Sequence, residues 1–429
     1  MTCEVVIANR LAIALAADSA VTFSGGGSRE TYASGANKIF QMARREPVAV
    51  MIYNTADLGG VPWELLIKAY RAQLDEVGFD SLEEYANDFI AFLHSAPSNL
   101  VPSEVRGQGT LSAMYNAVTC VLNTAVSARP ELRAPISHAD AAQRGWDEFM
   151  TQLSAETAAK PILTPLDEAD RVVAHQHLLT NIGKFVEVYL QNSAEHKHLA
   201  PYVDVETLSK LAIEVVFRDG FRALYGTHTG IVVAGFGKNE FLPGFCHVEV
   251  FGLIGSRVLW RSGPAESVSF KQRPSLIQAF ARQAMVETFT QGASKEIWSA
   301  VGDAYSVHSR QVVRAAAASA GVSIAETDID VAVSQNEASF RQAWTQTMLE
   351  KHLNPLRAVV SSLNIEELAE LAETLVLLES LKEKVTQRTQ SVGGPIDVAV
   401  ITKAEGLVWI KRKLYFDPSL NHRYFQRLS

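Results

Sequence analysis

The stretch of sequence that decides the fold is residues 2–23, TCEVVIANRLAIALAADSAVTF. It contains two short apolar runs rich in Val, Ile and Ala, at 3–9 and 11–23, with Asn9 and Arg10 between them. Runs of this length joined by a tight turn are typical of buried β-strands, so the pattern predicts a β-hairpin. Strands that are apolar on both faces are needed where two sheets share a buried face.

The rest of the chain alternates between strand-like and helix-like segments. A Gly- and Ser-rich stretch predicts a loop at 24–37. Apolar runs predict strands at 38–40, 48–53, 229–236, 245–260, 395–402 and 407–416. Apolar residues spaced at three and four predict helices at 62–74, 83–94, 107–128, 137–158, 166–193, 204–223, 273–321 and 365–387. This order predicts an α+β fold in which two sheets are covered by helices on both sides.

Composition restricts the class of function. The chain has 429 residues, of which 47% are hydrophobic, and a net charge of -8, so it lacks the basic surface that a nucleic-acid binder needs. No apolar run reaches membrane-spanning length, and charged residues interrupt the apolar start, which argues against a membrane span or a signal peptide. The three cysteines form no paired framework, so we expect reduced thiols and a cytoplasmic protein.

Thr2 is the first candidate for catalysis. It follows the initiator Met1, and aminopeptidases that remove initiator methionine favour small second residues. A terminal threonine would carry a hydroxyl nucleophile and a free α-amine in one residue, and an amine of pKa near ~7.7–8.0 can act as a general base. The alternative is that Thr2 only begins an edge strand.

Three further elements accompany Thr2. Asp18 lies at the end of the second predicted strand, and the hairpin would bring it close to the start of the first strand, next to Thr2. Lys38 opens the next strand, where a buried cation would favour deprotonation of a nearby hydroxyl. The turn Tyr53-Asn54-Thr55-Ala56-Asp57 could offer a backbone N–H to an oxyanion. The alternatives are a strand-end Asp, a solvated lysine and a helix N-cap.

Together these elements resemble a proteasome β-subunit and its bacterial heat-shock protease relative. Asp18 follows Thr2 by sixteen residues, the spacing of that family, and Lys38-Ile39-Phe40 and the turn at 53–57 follow in the family's order. The segments TGIVVAGF and GGPIDVAVITKAEGLVWI, at 229–236 and 393–410, resemble its central hairpin and its last strands. The resemblance implies an N-terminal-nucleophile hydrolase fold, a four-layer αββα sandwich with helical insertions.

The resemblance covers about half of the chain and divides it into segments. Residues 1–77, 224–290 and 365–416 would form the αββα core, 78–223 and 291–364 would be helical insertions or extensions, and 417–429 would be a C-terminal tail. The first insertion could cap the cleft or build a subunit interface.

The family also implies a mechanism and a set of site residues. Thr2 would attack an amide carbonyl and form an acyl-enzyme, assisted by Lys38 and Asp18, with the backbone N–H of Tyr53 or Asn54 stabilising the oxyanion. The family serine that contacts the nucleophile's amine aligns with Val392, so Ser391 is the candidate substitute. The arginine that often follows the family's Asp is replaced by Ala20. No metal or organic cofactor is expected.

The implied function is a threonine-type peptidase in a homo-oligomer, acting on peptides or proteins with a possible ATPase or unfoldase partner. Two alternatives stay open: a catalytically inactive proteasome-like scaffold or assembly protein, and a non-peptide amidase. A retained Met1 would favour the scaffold, because it blocks the amine.

Two His-x-His pairs offer a further candidate site, His175 with His177 and His196 with His198. Residues two apart on a helix point to different faces, so a shared metal is awkward. Solvated histidines are the simpler interpretation, and no metal site is predicted.

Overall fold

The computed structural model describes residues 2–24, 30–386 and 393–423, with only the backbone at 21–24 and 30–34. The described chain is α+β, with two five-stranded antiparallel sheets and helices packed around them. Across the described ranges, no helix combines the length and the apolar character that a membrane span requires.

The first sheet carries the N-terminal hairpin. Its order is β12-β1-β2-β13-β14, and β1 pairs with β2 in the register that places Glu4 opposite Ala17. The predicted N-terminal hairpin is therefore confirmed, and β1 and β2 are its two strands. The strands are β1 (Cys3–Ala8), β2 (Ile13–Ala17), β12 (Leu276–Ala281), β13 (Asp397–Thr402) and β14 (Gly406–Lys411).

The second sheet has the order β11-β10-β9-β6-β5. The single strand predicted at 245–260 is wrong, because Gly255, with a φ of 61°, turns the chain and separates two paired strands. The strands are β5 (Ile39–Gln41), β6 (Val48–Asn54), β9 (Thr229–Gly235), β10 (Gly244–Ile254) and β11 (Arg257–Ser267).

Two other sequence-based expectations are also wrong. The predicted loop at 24–37 contains β4 (Glu30–Ser34), which pairs with β3 (Ala20–Ser24), so the predicted run 11–23 is two strands. The start of the predicted helix at 273–321 is β12, which pairs along the whole of β1. At β12, pairing with β1, which is distant in sequence, overrides the local helical spacing. A second small hairpin consists of β7 (Asp57–Leu58) and β8 (Val61–Pro62).

The helices follow the predicted order, with two further helices between 322 and 364, where no individual helix was predicted. The expected helix at 166–193 is two helices that meet at Leu178. The α-helices are α1 (Trp63–Leu74), α2 (Leu82–Ser95), α3 (Ser103–Ala128), α4 (Ala139–Ala158), α5 (Glu168–His177), α6 (Leu179–Asn192), α7 (Val205–Ala223), α8 (Ala284–Gln291), α9 (Lys295–Ser319), α10 (Glu326–Met348), α11 (Asn354–Val360) and α12 (Ile365–Thr386).

Four apolar clusters hold these elements together. One joins the facing sides of the two sheets, through residues such as Val6, Leu15 and Met51. A second packs α8, α11 and α12 on the other side of the first sheet, and a third packs α1 and α2 on the other side of the second. The fourth is built by α3 to α7 among themselves and rests on β10 and β11. The hairpin that positions Thr2 and Asp18 is thus buried from both sides.

Candidate functional site

Thr2 lies directly before β1 and is buried. Its carbonyl oxygen accepts a hydrogen bond from the backbone N–H of Arg282, at 3.0 Å, just beyond the end of β12. Its hydroxyl Oγ1 donates to Oε2 of Glu4, at 3.1 Å. The bond from Arg282 therefore fixes the main chain of Thr2, and a carboxyl oxygen accepts the hydrogen bond from its hydroxyl group.

Asp18 follows β2, so the hairpin brings it to the start of β1. Its Oδ1 accepts from the backbone N–H of Cys3 at 3.2 Å, and its own N–H donates to the Cys3 carbonyl at 3.2 Å. Oδ2 accepts from the N–H of Gly393 at 2.8 Å and from that of Ala20 at 3.4 Å. The fully buried carboxylate is therefore held by backbone donors from several parts of the chain.

Lys38 directly precedes β5 and is only 4% exposed. Its carbonyl accepts from the N–H of Ile52 at 2.9 Å, which ties it to β6. Its Nζ lies 2.5 Å from Oδ1 of Asp18 and 3.2 Å from Oε1 of Glu4. One buried ammonium group thus faces two buried carboxyl groups beside Thr2, so it can compensate the charge of one of them.

Glu4 is the site residue that sequence reasoning missed. It is fully buried within β1, and strand alternation places it on the same face as Val6 and Ala8, which contact the second sheet. Burial raises the pKa of its carboxyl group to about 8, although Lys38 acts in the opposite direction. The signal that could have found it is plain, since Glu4 is the single charged residue in the strand CEVVIA.

Two cavities open beside Thr2. The larger has a volume of about 480 Å³ and the smaller about 160 Å³. Thr2, Tyr53, Asn54 and Thr55 line both of them. The larger is further lined by Tyr225, Gly226, His228, Ala281, Arg282 and Gln283, and the smaller by Ala36, Asn37, Lys38, Ile52, Ala56, Pro62 and Glu64. Thr2 and the end of β6 therefore belong to the walls of both cavities.

Tyr53 and Asn54, proposed from sequence as backbone donors, end β6 at the wall of both cavities. Asn54 has a φ of 67°, so the chain turns away from the strand at this point. Its side chain reaches Nε2 of His228 at 3.1 Å, and Thr55 Oγ1 contacts Oγ1 of Thr229 at 2.8 Å. These bonds to neighbouring segments hold the strand end at the mouth of the cavities.

The Tyr53 side chain forms a buried polar cluster behind the larger cavity. Its hydroxyl lies 2.6 Å from Nε2 of His247, and its ring stacks on that imidazole and on Phe280 with ring centroids 5.5 Å apart in both cases. Burial lowers the pKa of His247 to about 4, so this imidazole is neutral at physiological pH. A Cβ at Gly230 would lie 2.0 Å from the Tyr53 ring, so glycine leaves the space that the ring occupies.

Ser391 lies outside the described residues, so its predicted contact with Thr2 stays a prediction. The chain that follows it does reach the site. Besides its bond to Asp18, Gly393 accepts from the N–H of Ser19 at 3.2 Å, and the Ser19 hydroxyl donates to the carbonyl of Pro395 at 2.5 Å. The segment before β13 is therefore part of the wall around Asp18.

The histidine pairs have other partners. His175 lies 2.7 Å from Glu214, His196 lies 3.1 Å from the hydroxyl of Tyr189, and His198 bonds to a backbone carbonyl at 2.9 Å. In the described part of the chain, no group of three or more His, Cys, Asp or Glu side chains could hold a metal ion. The cysteines there are free thiols.

Comparison with known proteins gives limited similarity. No protein-family model and no curated protein sequence matches this chain. Two solved structures are similar to it at 8% identity: the Gly-1 mutant of Anbu from Hyphomicrobium sp. strain MC1 and Anbu, an ancestral beta-subunit, from Yersinia bercovieri. The first has a TM-score of 0.29 and covers 100% of this chain and 96% of its own, and the second has a TM-score of 0.25 and covers 100% and 95%. At these TM-scores the similarity is too weak to carry an argument about this chain.

Proposed function

We propose that this protein is a threonine-type hydrolase that cleaves amide bonds, most simply those of peptides or proteins. The observation that carries the proposal is the buried series Thr2, Glu4, Lys38 and Asp18, of which Thr2 lines two cavities. A hydroxyl group becomes a nucleophile when a base takes its proton and a nearby cation stabilises the resulting charge, and this series offers both.

In the proposed reaction, Oγ1 of Thr2 attacks the carbonyl carbon and an ester forms on Thr2. Lys38 stabilises negative charge on Oγ1, and Asp18 holds Lys38 in place. The backbone N–H of Tyr53 or Asn54 would receive the oxyanion, because both residues line the cavities at the strand end. Cleavage of the Met1–Thr2 peptide bond would free the α-amine, which can carry a proton to the leaving nitrogen.

The four-layer αββα sandwich belongs to the same proposal. Its support is the packing of two sheets on each other, with α1 and α2 on one outer side and α8, α11 and α12 on the other. The proposed segments are those expected from the sequence, with 78–223 as the larger helical insertion. Assembly into a homo-oligomer, an unfoldase partner and a cytoplasmic location stay predictions.

Two other functions are distinguished by experiment. A non-catalytic scaffold would keep the fold but leave the Thr2 hydroxyl unreactive. A non-peptide amidase would use the same nucleophile but would reject peptides and accept small amides.

The test is covalent labelling of Thr2. A β-lactone has a strained ring ester that acylates an activated hydroxyl group, and mass spectrometry of proteolytic fragments locates the added mass. We expect wild-type protein and Thr2→Ser to be labelled at residue 2, and Thr2→Ala to remain unlabelled. Thr157→Ala is the matched control, because Thr157 is also buried but lies on α4, away from the cavities.

Before any labelling, wild-type protein and Thr2→Ser should also hydrolyse amide substrates, which a panel of fluorogenic peptides and small amides measures, and labelling should abolish this activity. Wild-type protein that neither forms the acyl adduct nor hydrolyses any amide would reject the proposal in favour of a scaffold. The intact mass of the unlabelled protein shows in the same experiment whether Met1 has been removed.

A further inference from the structure

The site contains more acidic groups than the proposed roles of Lys38 and Asp18 explain. Asp18 already pairs with Lys38, and backbone N–H groups satisfy its second oxygen. Glu4 adds a second carboxyl group to the same buried space. A buried carboxyl group costs free energy unless its charge is compensated, so its presence beside a nucleophile requires a reason.

We propose that Glu4 is the general base that takes the proton from Oγ1 of Thr2. This inference rests on the proposed function, in which Thr2 is the nucleophile, and it assigns to Glu4 the deprotonation that the α-amine would otherwise perform.

The geometry of β1 supports this assignment. Oε2 of Glu4 already accepts the hydrogen bond from Oγ1 at 3.1 Å, within the reach that proton transfer requires. β1 is paired on both edges along its length, so the carboxyl group is held at this distance by the sheet. The other oxygen, Oε1, lies 3.2 Å from Nζ of Lys38 but accepts no hydrogen bond among the described residues.

The surroundings of Glu4 determine the pKa of its carboxyl group. The residues opposite it on the neighbouring strands, Ala17 and Phe280, are apolar and remove water from the carboxyl group. Burial raises the pKa of Glu4 to about 8, the negative charge of Asp18 acts in the same direction, and Lys38 and the Thr2 hydrogen bond oppose it. A base with a pKa near the working pH can both take and return a proton.

Three segments that pack against Glu4 each contribute a titratable group. Lys38 precedes β5, Asp18 follows β2, and the phenol of Tyr53 on β6 is electrostatically coupled to Glu4. Burial raises the pKa of Tyr53 further above its ordinary value, so the phenol stays neutral and does not compete as a base.

Glu4 takes and returns one proton in each half of the reaction. The Oγ1–H proton passes to Oε2 as Oγ1 bonds to the substrate carbonyl carbon and the π electron pair moves to oxygen. When the carbonyl re-forms, the C–N bond breaks and the proton is passed to the leaving amine. Water then adds to the ester, Glu4 takes a proton from it, and rupture of the ester bond returns this proton to Oγ1.

The experiment measures the rate of β-lactone acylation at Thr2 between about pH 5.5 and 9.5, by mass spectrometry. In wild-type protein the rate should rise with pH through an inflection near 8. Because a free α-amine titrates near ~7.7–8.0, the wild-type profile alone does not identify the base. Glu4→Gln keeps the α-amine of Thr2 and the shape of protonated Glu4 but removes the carboxyl group. Its pH profile therefore shows which of the two groups is the base.

We expect Glu4→Gln to lower the acylation rate by about 100-fold or more and to lose the inflection. Glu4→Asp, which withdraws the carboxyl group by one methylene, should retain the inflection at a reduced rate. Glu379→Gln is the matched control, since Glu379 is a buried glutamate on α12 and accepts from the N–H of Met285 at 2.7 Å. Its rate should equal that of wild type.

Two results would overturn the inference, and they differ. If folded Glu4→Gln acylates within about threefold of wild type with the same inflection, the α-amine is the base and the proposed function survives. If wild-type protein does not acylate at any pH, the proposed function fails and this inference fails with it. Thermal melts of each variant show that the protein compared is folded.

Discussion

The backbone N–H of Gly393 donates a hydrogen bond of 2.8 Å to Oδ2 of Asp18, across 375 residues of sequence. This bond joins the segment before β13 to the end of β2. It means that the side chain that holds Lys38 is itself oriented by the last part of the core. The hairpin alone would leave Oδ2 without this donor.

Asp18→Asn tests this connection. The substitution replaces a carboxylate that accepts four hydrogen bonds by an amide, whose NH₂ group cannot accept from Gly393 or Lys38. We expect the free energy of unfolding to fall by at least about 2 kcal/mol, as for loss of a hydrogen bond to a charged group. Urea denaturation measures it. The exposed control Asp80→Asn should change the stability little, and equal stability of Asp18→Asn would contradict the interpretation.

Lys38→Met should be both inactive and unstable. Removing the ammonium group leaves Asp18 and Glu4 as two carboxyl groups in one buried space, which costs about 3–5 kcal/mol for a broken buried pair. Denaturation at pH about 8 should show the loss, and acid should reduce it because the carboxyl groups become protonated. Lys68→Met is the control, since Lys68 pairs with Glu64 at the surface, and about 0–1 kcal/mol is expected.

Glu4 should make the protein less stable as pH rises. Its pKa is raised from 4.5 to about 8 in the folded state, so the folded protein holds a proton that the unfolded chain has released. The stabilisation is complete below pH about 4.5 and is lost as pH rises through about 8, up to ~5 kcal/mol in all. Urea denaturation across this range should give a flatter profile for Glu4→Gln than for wild type.

Glu187→Gln is the control for the loss of one acidic group, because Glu187 is exposed and its substitution should leave the pH profile of stability unchanged. Parallel wild-type and Glu4→Gln profiles would show that Glu4 does not retain its proton on folding.

Gly230→Ala should disturb the wall of the larger cavity. The added Cβ would lie 2.0 Å from the ring of Tyr53, which His247 and Phe280 hold by stacking, so the ring cannot move freely. We expect a loss of about 1–3 kcal/mol from overpacking and slower acylation of Thr2. Thermal melts and β-lactone labelling measure the two effects.

Gly107→Ala is the control for this substitution. Gly107 lies on α3 with no atom within 4 Å of an added Cβ, so alanine should stabilise the helix by about 0.5–1 kcal/mol. If both variants behaved alike, the close contact with Tyr53 would be irrelevant to the site.

The predicted homo-oligomer is tested by sedimentation velocity. Both helical segments leave valines exposed: Val188 on α6 is 59% exposed, Val312 on α9 is 67% exposed and Val331 on α10 is 58% exposed. We expect a species whose mass is a multiple of 46.9 kDa and which Val312→Glu weakens. Val188→Glu, on the exposed face of α6, should weaken it as well where the helices of 78–223 contribute to the contacts, and should leave it unchanged where they form a lid. A single species of chain mass at micromolar concentration would reject assembly.

Local sequence was sufficient for the N-terminal hairpin. The hairpin of β1 and β2 has continuous apolar strands and a short link of four residues, 9–12, so its pairing needed no distant information. Local sequence was not sufficient for β12. Its apolar spacing predicts a helix, but the segment forms a strand because it pairs with β1. The turn at Gly255 was missed for a different reason, since the apolar run continues on both sides of the turn and gives no boundary between β10 and β11.

The sequence by itself determined the nature of the candidate nucleophile, the sixteen-residue spacing from Thr2 to Asp18, and the strands that carry them. The tertiary structure alone decided that Lys38 faces two carboxyl groups and that Glu4 receives the Thr2 hydrogen bond. The physical reason is that the pKa and role of an ionisable group depend on burial and on charges from distant segments. Periodicity places Glu4 in a strand, but only the second sheet and its neighbours remove the water around it.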